Sequence, residues 1–128
     1  MEQTVRQAAE LAKAASAGMA TTTGEQRNAA LFAMAQALRD NTEDIVAAND
    51  ADMQAAREKG TPGPLLDRLM LDAGRIQDMA SALEDLAALP DPLGVVQQER
   101  TLDSGVRLQR VSVPMGVVAM VYEARPNV

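Results

Sequence analysis

The sequence contains no cysteine and no histidine among its 128 residues. Without cysteine this chain has no disulfides, no thiolate metal sites and no thiol nucleophile, and without histidine it lacks the commonest acid–base catalyst and zinc ligand. Glycine-rich Gly-x-Gly-x-x-Gly and phosphate-loop sequences are also missing, so no dinucleotide site can be recognised by motif. These absences exclude most catalytic constellations that a sequence can reveal.

Aromatic, basic and long apolar stretches are equally scarce. One Phe, one Tyr and no Trp leave Ala, Leu, Val and eight Met to fill the interior. A net charge of −6, without a basic stripe interleaved with aromatics, argues against nucleic acid as a partner. No run approaches 18 apolar residues, and charges interrupt the N-terminal stretch where a signal peptide needs an apolar core. We therefore expect a cytoplasmic protein that does not enter membranes.

What is present is an ordinary globular composition, 47% hydrophobic and 23% charged, with an acidic excess confined to residues 1–92. The acidic residues between positions 40 and 52 do not form the Asp-x-Asp-x-Asp-Gly loop that calcium prefers. We interpret them as helix caps and solvated faces rather than as a metal site. They are Asp40, Glu43, Asp44, Asp50 and Asp52.

Helical periodicity dominates residues 1–92. We predict an amphipathic helix over 1–20, a second that follows a Thr23–Gln26 capping box, a third capped by Thr42, a short helical turn over 65–71, and a last helix capped by Asp72. Gly60 is a predicted C′ residue, and Pro90 stops the last helix. The expected buried stripes are Leu31, Met34, Ala35 and Leu38; Ile45, Val46, Asn49, Met53 and Ala56; and Ile76, Met79, Ala80, Leu83 and Leu86.

The period then changes to that of strands. Residues 95–102 and 106–113 flank Asp103-Ser104-Gly105, which predicts a β-hairpin, marginal alone and in need of a partner surface. Val117–Val121 is a short, nearly continuous apolar run, typical of a parallel strand covered on both faces. Because such a strand needs neighbours, the chain is interpreted as a truncated α/β protein.

The segment from Arg110 to Val128 resembles γ-glutamyl phosphate reductase, also called glutamate-5-semialdehyde dehydrogenase, of the aldehyde dehydrogenase superfamily. The Pro114-x-Gly116-Val117 sequence is shared by the whole superfamily, and Tyr122-Glu123-Ala124-Arg125-Pro126-Asn127-Val128 is typical of this family. Further similarity at 49–53, 65–69 and 91–94 extends the resemblance over almost the whole chain.

The resemblance implies NADPH-dependent reduction of L-glutamate 5-phosphate, a small acyl phosphate, to L-glutamate 5-semialdehyde in L-proline biosynthesis. It implies an aldehyde-dehydrogenase-like α/β fold. In that fold 1–92 are the helical part of the cofactor-binding domain, 93–113 are the hairpin of an oligomerisation sheet, and 114–128 are the first parallel strand and cleft loop of a Rossmann-like domain. Family members attack the substrate with a cysteine thiolate, which this chain lacks, so we expect no turnover from it.

Residues 122–127 follow the predicted parallel strand, where open α/β sheets bind ligands. Glu123, Arg125 and Asn127 are the candidate substrate-binding residues. The planar guanidinium of Arg125 would suit the substrate's phosphate or carboxylate, or it would pair locally with Glu123. Asn127 would donate to the developing oxyanion, or it is an ordinary turn residue after Pro126. Counted from Pro114, the superfamily's asparagine position falls on Arg125, so both alternatives for Asn127 stay open. Tyr122 is expected to pack at the rim rather than to bind ligand.

Two further alternatives are compatible with the sequence. The four amphipathic helices would, by composition alone, make a self-sufficient helical interaction module without enzymatic activity. Within the reductase interpretation, the source would be either a stand-alone enzyme or the reductase half of a bifunctional pyrroline-5-carboxylate synthase. Met1 at the start of the first helix favours the stand-alone enzyme.

Overall fold

A computed structural model describes residues 4–121 and Pro126. Within these residues seven helices and strands follow one another, and they divide between two compact units. The first unit comprises the residues up to Gly24 together with Pro90–Ala119, and the second comprises Glu25–Leu89 together with the residues from Met120 onward. The elements are α1 (Val5–Met19), α2 (Gly24–Asp40), α3 (Thr42–Glu58), α4 (Gly63–Leu69), α5 (Ala73–Ala88), β1 (Val96–Thr101) and β2 (Arg107–Val111).

Helix α1 begins with a capping box that the sequence analysis did not identify. The Thr4 hydroxyl accepts from the Gln7 amide at 3.3 Å, and the Gln7 side chain accepts from the Thr4 amide at 3.0 Å. The predicted helix is confirmed, but none of its residues is buried. Helix α2 begins at Gly24, which is where a helix capped by Thr23 would begin. The reciprocal Thr23–Gln26 bonds stay a prediction.

The core of the second unit is small and rich in alanine. The predicted stripe of α3 is confirmed, because Asn49 and Met53 are buried and the other three members are partly covered. Two members of the other stripes were predicted wrongly: Met34 and Leu86 are about half exposed. Helix α2 is buried only at Ala35, and the buried line of α5 runs through Ile76, Ala80 and Ala87. The other larger members of the two predicted stripes, Leu31, Leu38, Met79 and Leu83, are partly covered.

The ends of the helices follow from local chemistry. Gly60 takes a φ of 72°, and the amides of Gly60 and Thr61 donate to the carbonyls of Arg57 and Ala56, which is the Schellman arrangement expected of a C′ glycine. Asp72 caps α5 by accepting from the Arg75 amide at 2.7 Å, as predicted. Thr42 is not the cap of α3: it is the first helical residue, and its hydroxyl donates backward to the α2 carbonyls of Leu38 and Arg39.

Two polar side chains hold α4 and the loop after it. Asn49 donates to the Leu69 carbonyl at 2.9 Å and accepts from the Leu71 amide at 2.7 Å, so one buried amide satisfies two backbone groups. Arg75 donates to the carbonyls of Asp67 and Met70, and it pairs with the Asp67 carboxylate at 2.9 Å. The seven-residue α4 is therefore fixed at its C-terminal end by α3 and α5.

The predicted hairpin is confirmed. Strands β1 and β2 pair antiparallel, with an irregularity between Val96 and Gln98. At the turn the Gly105 amide donates to the Leu102 carbonyl, the Leu102 amide donates to the Val106 carbonyl, and Gly105 has a φ of 84°. This is a type I turn followed by a glycine bulge, the usual three-residue hairpin connection. All residues of both strands are exposed.

The strand predicted over Val117–Val121 is not formed within the described residues. The stretch from Ser112 to Val121 has no regular secondary structure, and Val117 to Val121 are exposed. The physical reason is pairing, because a strand gains its hydrogen bonds from neighbouring strands and the described sheet has only β1 and β2. The run is therefore apolar, but its side chains are exposed and not buried on both faces as the prediction required.

Candidate functional site

The stretch that leads to the predicted ligand-binding residues 122–127 leaves the hairpin at Ser112, and hydrogen bonds of Ser112 fix its starting point. The Ser112 hydroxyl donates to the Pro92 carbonyl and accepts from the Val95 amide at 3.1 Å. The Ser112 amide and carbonyl also bond to the Val95 carbonyl and the Gly94 amide. One serine therefore fixes where the chain departs toward residue 113.

A glycine with an unusual conformation follows the proline of the superfamily motif. Gly116 has a φ of 91°, in a region that residues with a Cβ rarely adopt. A Cβ built there would meet no atom within 4 Å, so the backbone angle and not lack of space calls for glycine. The Pro-x-Gly pattern thus sets the direction of the chain just before the predicted binding loop.

The predicted site residues themselves lie outside the described part of the chain. This holds for Glu123, Arg125, Asn127 and the rim residue Tyr122. Of this loop the structure describes only Pro126, a partly covered turn residue. The structure therefore tests neither the substrate-binding roles nor the alternative local ones.

The hairpin carries its charges on two different faces. On one face Arg107 lies 3.7 Å from the Glu99 carboxylate, which also accepts from the Gln109 amide. On the other face Arg100 and Arg110 flank Leu108 and form no ion pair with any described residue. The second face is therefore the basic one, in a molecule that is acidic as a whole.

A groove of about 470 Å³ lies between α3 and α4 in the second unit. Its floor is apolar, from Leu65, Leu69 and two alanines of α3, and its rim includes Asp52, Lys59 and Arg68. Over the described residues no three acidic side chains are grouped so that they would hold a metal ion. No described helix is long and apolar enough to cross a membrane.

Comparison with known proteins shows which proteins this chain is similar to. No family model matches the chain. A γ-glutamyl phosphate reductase of Moorella thermoacetica is 50% identical over 126 residues, which cover 98% of this chain and 29% of the relative. One of Thermobifida fusca is 44% identical over 128 residues, 100% of this chain and 31% of the relative. Over nearly its whole length the chain is similar to γ-glutamyl phosphate reductases.

Solved structures of the γ-glutamyl phosphate reductase family agree. The Thermotoga maritima enzyme superposes with a TM-score of 0.79 at 34% identity, over 83% of this chain and 26% of that one. The Saccharomyces cerevisiae enzyme gives a TM-score of 0.78 at 34% identity, over 88% and 29%. The predicted α/β, aldehyde-dehydrogenase-like fold class is therefore confirmed, and the chain spans less than a third of the relatives' length.

Sequence reasoning missed the ion pair that joins helices α2 and α5. Arg39 of α2 donates to both carboxylate oxygens of Glu84 of α5, at 2.6 and 2.8 Å, and to the Gln77 side chain at 3.1 Å. The hydrogen bond from Arg39 lowers the pKa of Glu84 and raises that of the arginine. The partners are 45 residues apart, so no local spacing could have revealed them. Asn49, in contrast, was visible as the polar member of an apolar stripe.

Proposed function

We propose that this chain is the N-terminal part of an NADPH-dependent reductase that converts L-glutamate 5-phosphate to L-glutamate 5-semialdehyde and phosphate in L-proline biosynthesis. The observation that supports it is 50% identity to a relative named γ-glutamyl phosphate reductase, sustained over 126 of the 128 residues. The similarity includes the hairpin and the segment after it, which an isolated helical interaction module would not need. It therefore favours the reductase over that alternative.

In this proposal Arg125 binds the phosphate or carboxylate of the substrate. Its planar fork of donors matches an oxyanion better than an ammonium group does. Asn127 donates to the oxygen that becomes negative during acyl transfer, and Glu123 is the third residue proposed to contact the substrate. Gly116 sets the course of the chain that brings these three residues to the carboxyl end of a parallel strand.

The chain does not carry the whole reaction. The thiolate that attacks the acyl phosphate is a cysteine in this family, and these 128 residues contain none. The described residues also do not fit NADPH, because their sheet is an antiparallel hairpin without the strand–glycine turn–helix unit that receives a pyrophosphate. We assign both the nucleophile and the cofactor contacts to other parts of the complete reductase, and we expect no turnover by this chain alone.

The proposal extends to assembly and location. The hairpin over 93–113 joins copies of the reductase into a homo-oligomer, since its two strands expose their edges and apolar side chains. The reductase is a cytoplasmic enzyme. Its domains follow the predicted division at residues 92 and 113.

A chimera tests the proposed activity. This chain would replace the matched 126 residues of the Moorella thermoacetica relative, and NADP(H) turnover would be followed with glutamate 5-semialdehyde and phosphate in the reverse direction. The chimera should be active and the 128-residue chain inactive. Turnover by the chain alone, or an inactive but folded chimera, would contradict the proposal.

Within the chimera, Arg125→Ala should lower kcat/KM by roughly 10- to 100-fold, because a charge-assisted hydrogen bond is worth about 1.5–3 kcal/mol. Arg125→Lys should recover only part of that loss. The matched variant is Glu123→Gln. If Arg125 only forms a local ion pair with Glu123, Arg125→Ala and Glu123→Gln should reduce activity equally. In that case neither variant should change how the rate depends on the phosphate concentration.

A further inference from the structure

The second face of the hairpin places two arginines on neighbouring strands without a counter-charge among the described residues. In the register of the sheet Arg100 is paired with Leu108 and Arg110 with Gln98, so the two arginines are diagonal neighbours on that face. Diagonal positions across two strands are about 7–8 Å apart, a distance that long side chains span. Neither guanidinium forms an ion pair or a hydrogen bond with a described residue. Like charges at this distance repel each other, and an anion bound between them would relieve the repulsion.

The first face of the same hairpin shows how the chain neutralises an arginine with its own residues. Arg107 lies 3.7 Å from the Glu99 carboxylate, and the Gln109 side-chain amide donates to that carboxylate as well. Glu99 and Arg107 are also diagonal neighbours, because Glu99 is paired with Gln109 and Arg107 with Thr101. The second face repeats this diagonal arrangement with two cations. A negative partner for the second face therefore has to come from outside the described residues.

A shallow pocket of about 410 Å³ lies on the second face, and its composition selects for an anion. Its charged lining residues are both arginines, and no carboxylate belongs to the lining. Leu108, which is 45% exposed, lies between the arginines, and the Gln98 side chain offers a neutral donor beside them. Planar guanidinium groups bind phosphate oxygens with two parallel hydrogen bonds. The lining residues are Gln98, Arg100, Leu108, Gln109 and Arg110.

We propose that this face of the hairpin binds a small anion of the phosphate class that carries two phosphoryl groups. Arg100 and Arg110 each hold one phosphoryl group, since they stand at separate positions, and Gln98 donates a further hydrogen bond. The acidic excess of residues 1–92 repels anions, which leaves the hairpin as the favourable surface for one. None of the three residues belongs to the candidate substrate-binding loop at 122–127, so the site would exist whatever reaction the chain serves.

The test is calorimetric titration of the 128-residue chain with sodium pyrophosphate, in metal-free buffer at low and constant ionic strength. The dissociation constant should be on the order of 1 mM or lower, because two or three charge-assisted hydrogen bonds support that affinity. Arg100→Gln and Arg110→Gln should each weaken binding by roughly fivefold or more. Arg107→Gln is the matched control: it removes the same charge from the other face of the same hairpin, and it should leave the affinity unchanged.

Nuclear magnetic resonance of the arginine Nε–H groups locates the anion, since the signals of Arg100 and Arg110 should move on titration while that of Arg107 stays. Equal losses in all three variants, or equal shifts with chloride at the same ionic strength, would mean general attraction and overturn the site. Absence of binding at millimolar pyrophosphate would overturn it as well. So would reduced self-association of Arg100→Gln without pyrophosphate binding, which would point to an acidic surface of a second copy. Circular dichroism of the variants establishes that they are folded.

Discussion

At the scale of single residues, the side chain that does most for this fold is Asn49. It is 5% exposed, and it serves one donor and one acceptor in the backbone between α4 and α5. A polar side chain inside an apolar stripe is costly unless its hydrogen bonds are satisfied. Here both ends of the amide are used, so Asn49 fixes the course of a loop rather than weakening the core.

Asn49→Ala should therefore lower the free energy of unfolding by about 2 kcal/mol, because the Leu71 amide loses its acceptor in a buried place. Urea denaturation followed by circular dichroism measures the change. Gln54→Ala is the matched control on the same helix: Gln54 bonds only with Glu58 at the surface, and its loss should cost less than about 0.5 kcal/mol. Equal effects of the two variants would refute the role of Asn49.

At the scale of elements, α2 and α5 are joined by the Arg39–Glu84 pair. The pair is bidentate and its side chains are only 28% and 38% exposed, which distinguishes it from the exposed Arg6–Glu10 pair of α1. The fork geometry fixes the relative rotation of two helices as well as their distance. It is an electrostatic connection, and it should depend on pH.

Since Arg39 lowers the pKa of Glu84 below the ordinary value near 4.5, ionised Glu84 stabilises the fold above that value. The contribution is lost as the pH falls through the lowered pKa of the folded state. Glu84→Gln should therefore be less stable than wild type at pH 7, with the difference shrinking toward pH 3. In an Arg39→Met background the same substitution should lose this pH dependence. A difference that stays constant with pH would contradict the assignment.

At the scale of the whole molecule, the helices and the hairpin differ in how far their apolar side chains are buried. The second unit buries its own core, whereas the hairpin and the segment after it expose valine, leucine and methionine side chains. Open strand edges with apolar neighbours are sites of association. The helical part and the β part should therefore behave differently in solution.

Removal of residues 93–128 should reduce self-association, and sedimentation velocity over a range of concentrations would detect it. The 1–92 chain should remain closer to a monomer than the full chain at the same concentration. The self-sufficient helical module instead predicts a full chain that is monomeric and unfolds as it does without 93–128. Identical sedimentation and unfolding of the two chains would favour that alternative.

How far the sequence predicts this molecule depends on the range of the interactions. Helix boundaries at Gly60 and Asp72 and the hairpin turn at Gly105 were predictable because a few neighbouring residues determine them. The exposure of Met34 and Leu86 was not predictable, because helical spacing identifies an apolar stripe but not how much of that stripe its neighbours cover. The Arg39–Glu84 pair depends on tertiary packing. Arg125 was identified as a candidate by family resemblance, and its role stays a prediction.

The scarcity of aromatic rings has a practical consequence for anyone who studies this chain. The single phenylalanine, Phe32, is half exposed, and the buried positions among the described residues are aliphatic apart from Asn49. Because the sequence has no tryptophan, intrinsic fluorescence will report little on these buried positions. The same absence makes the protein a clean background for a single introduced indole, whose emission would report on one chosen position.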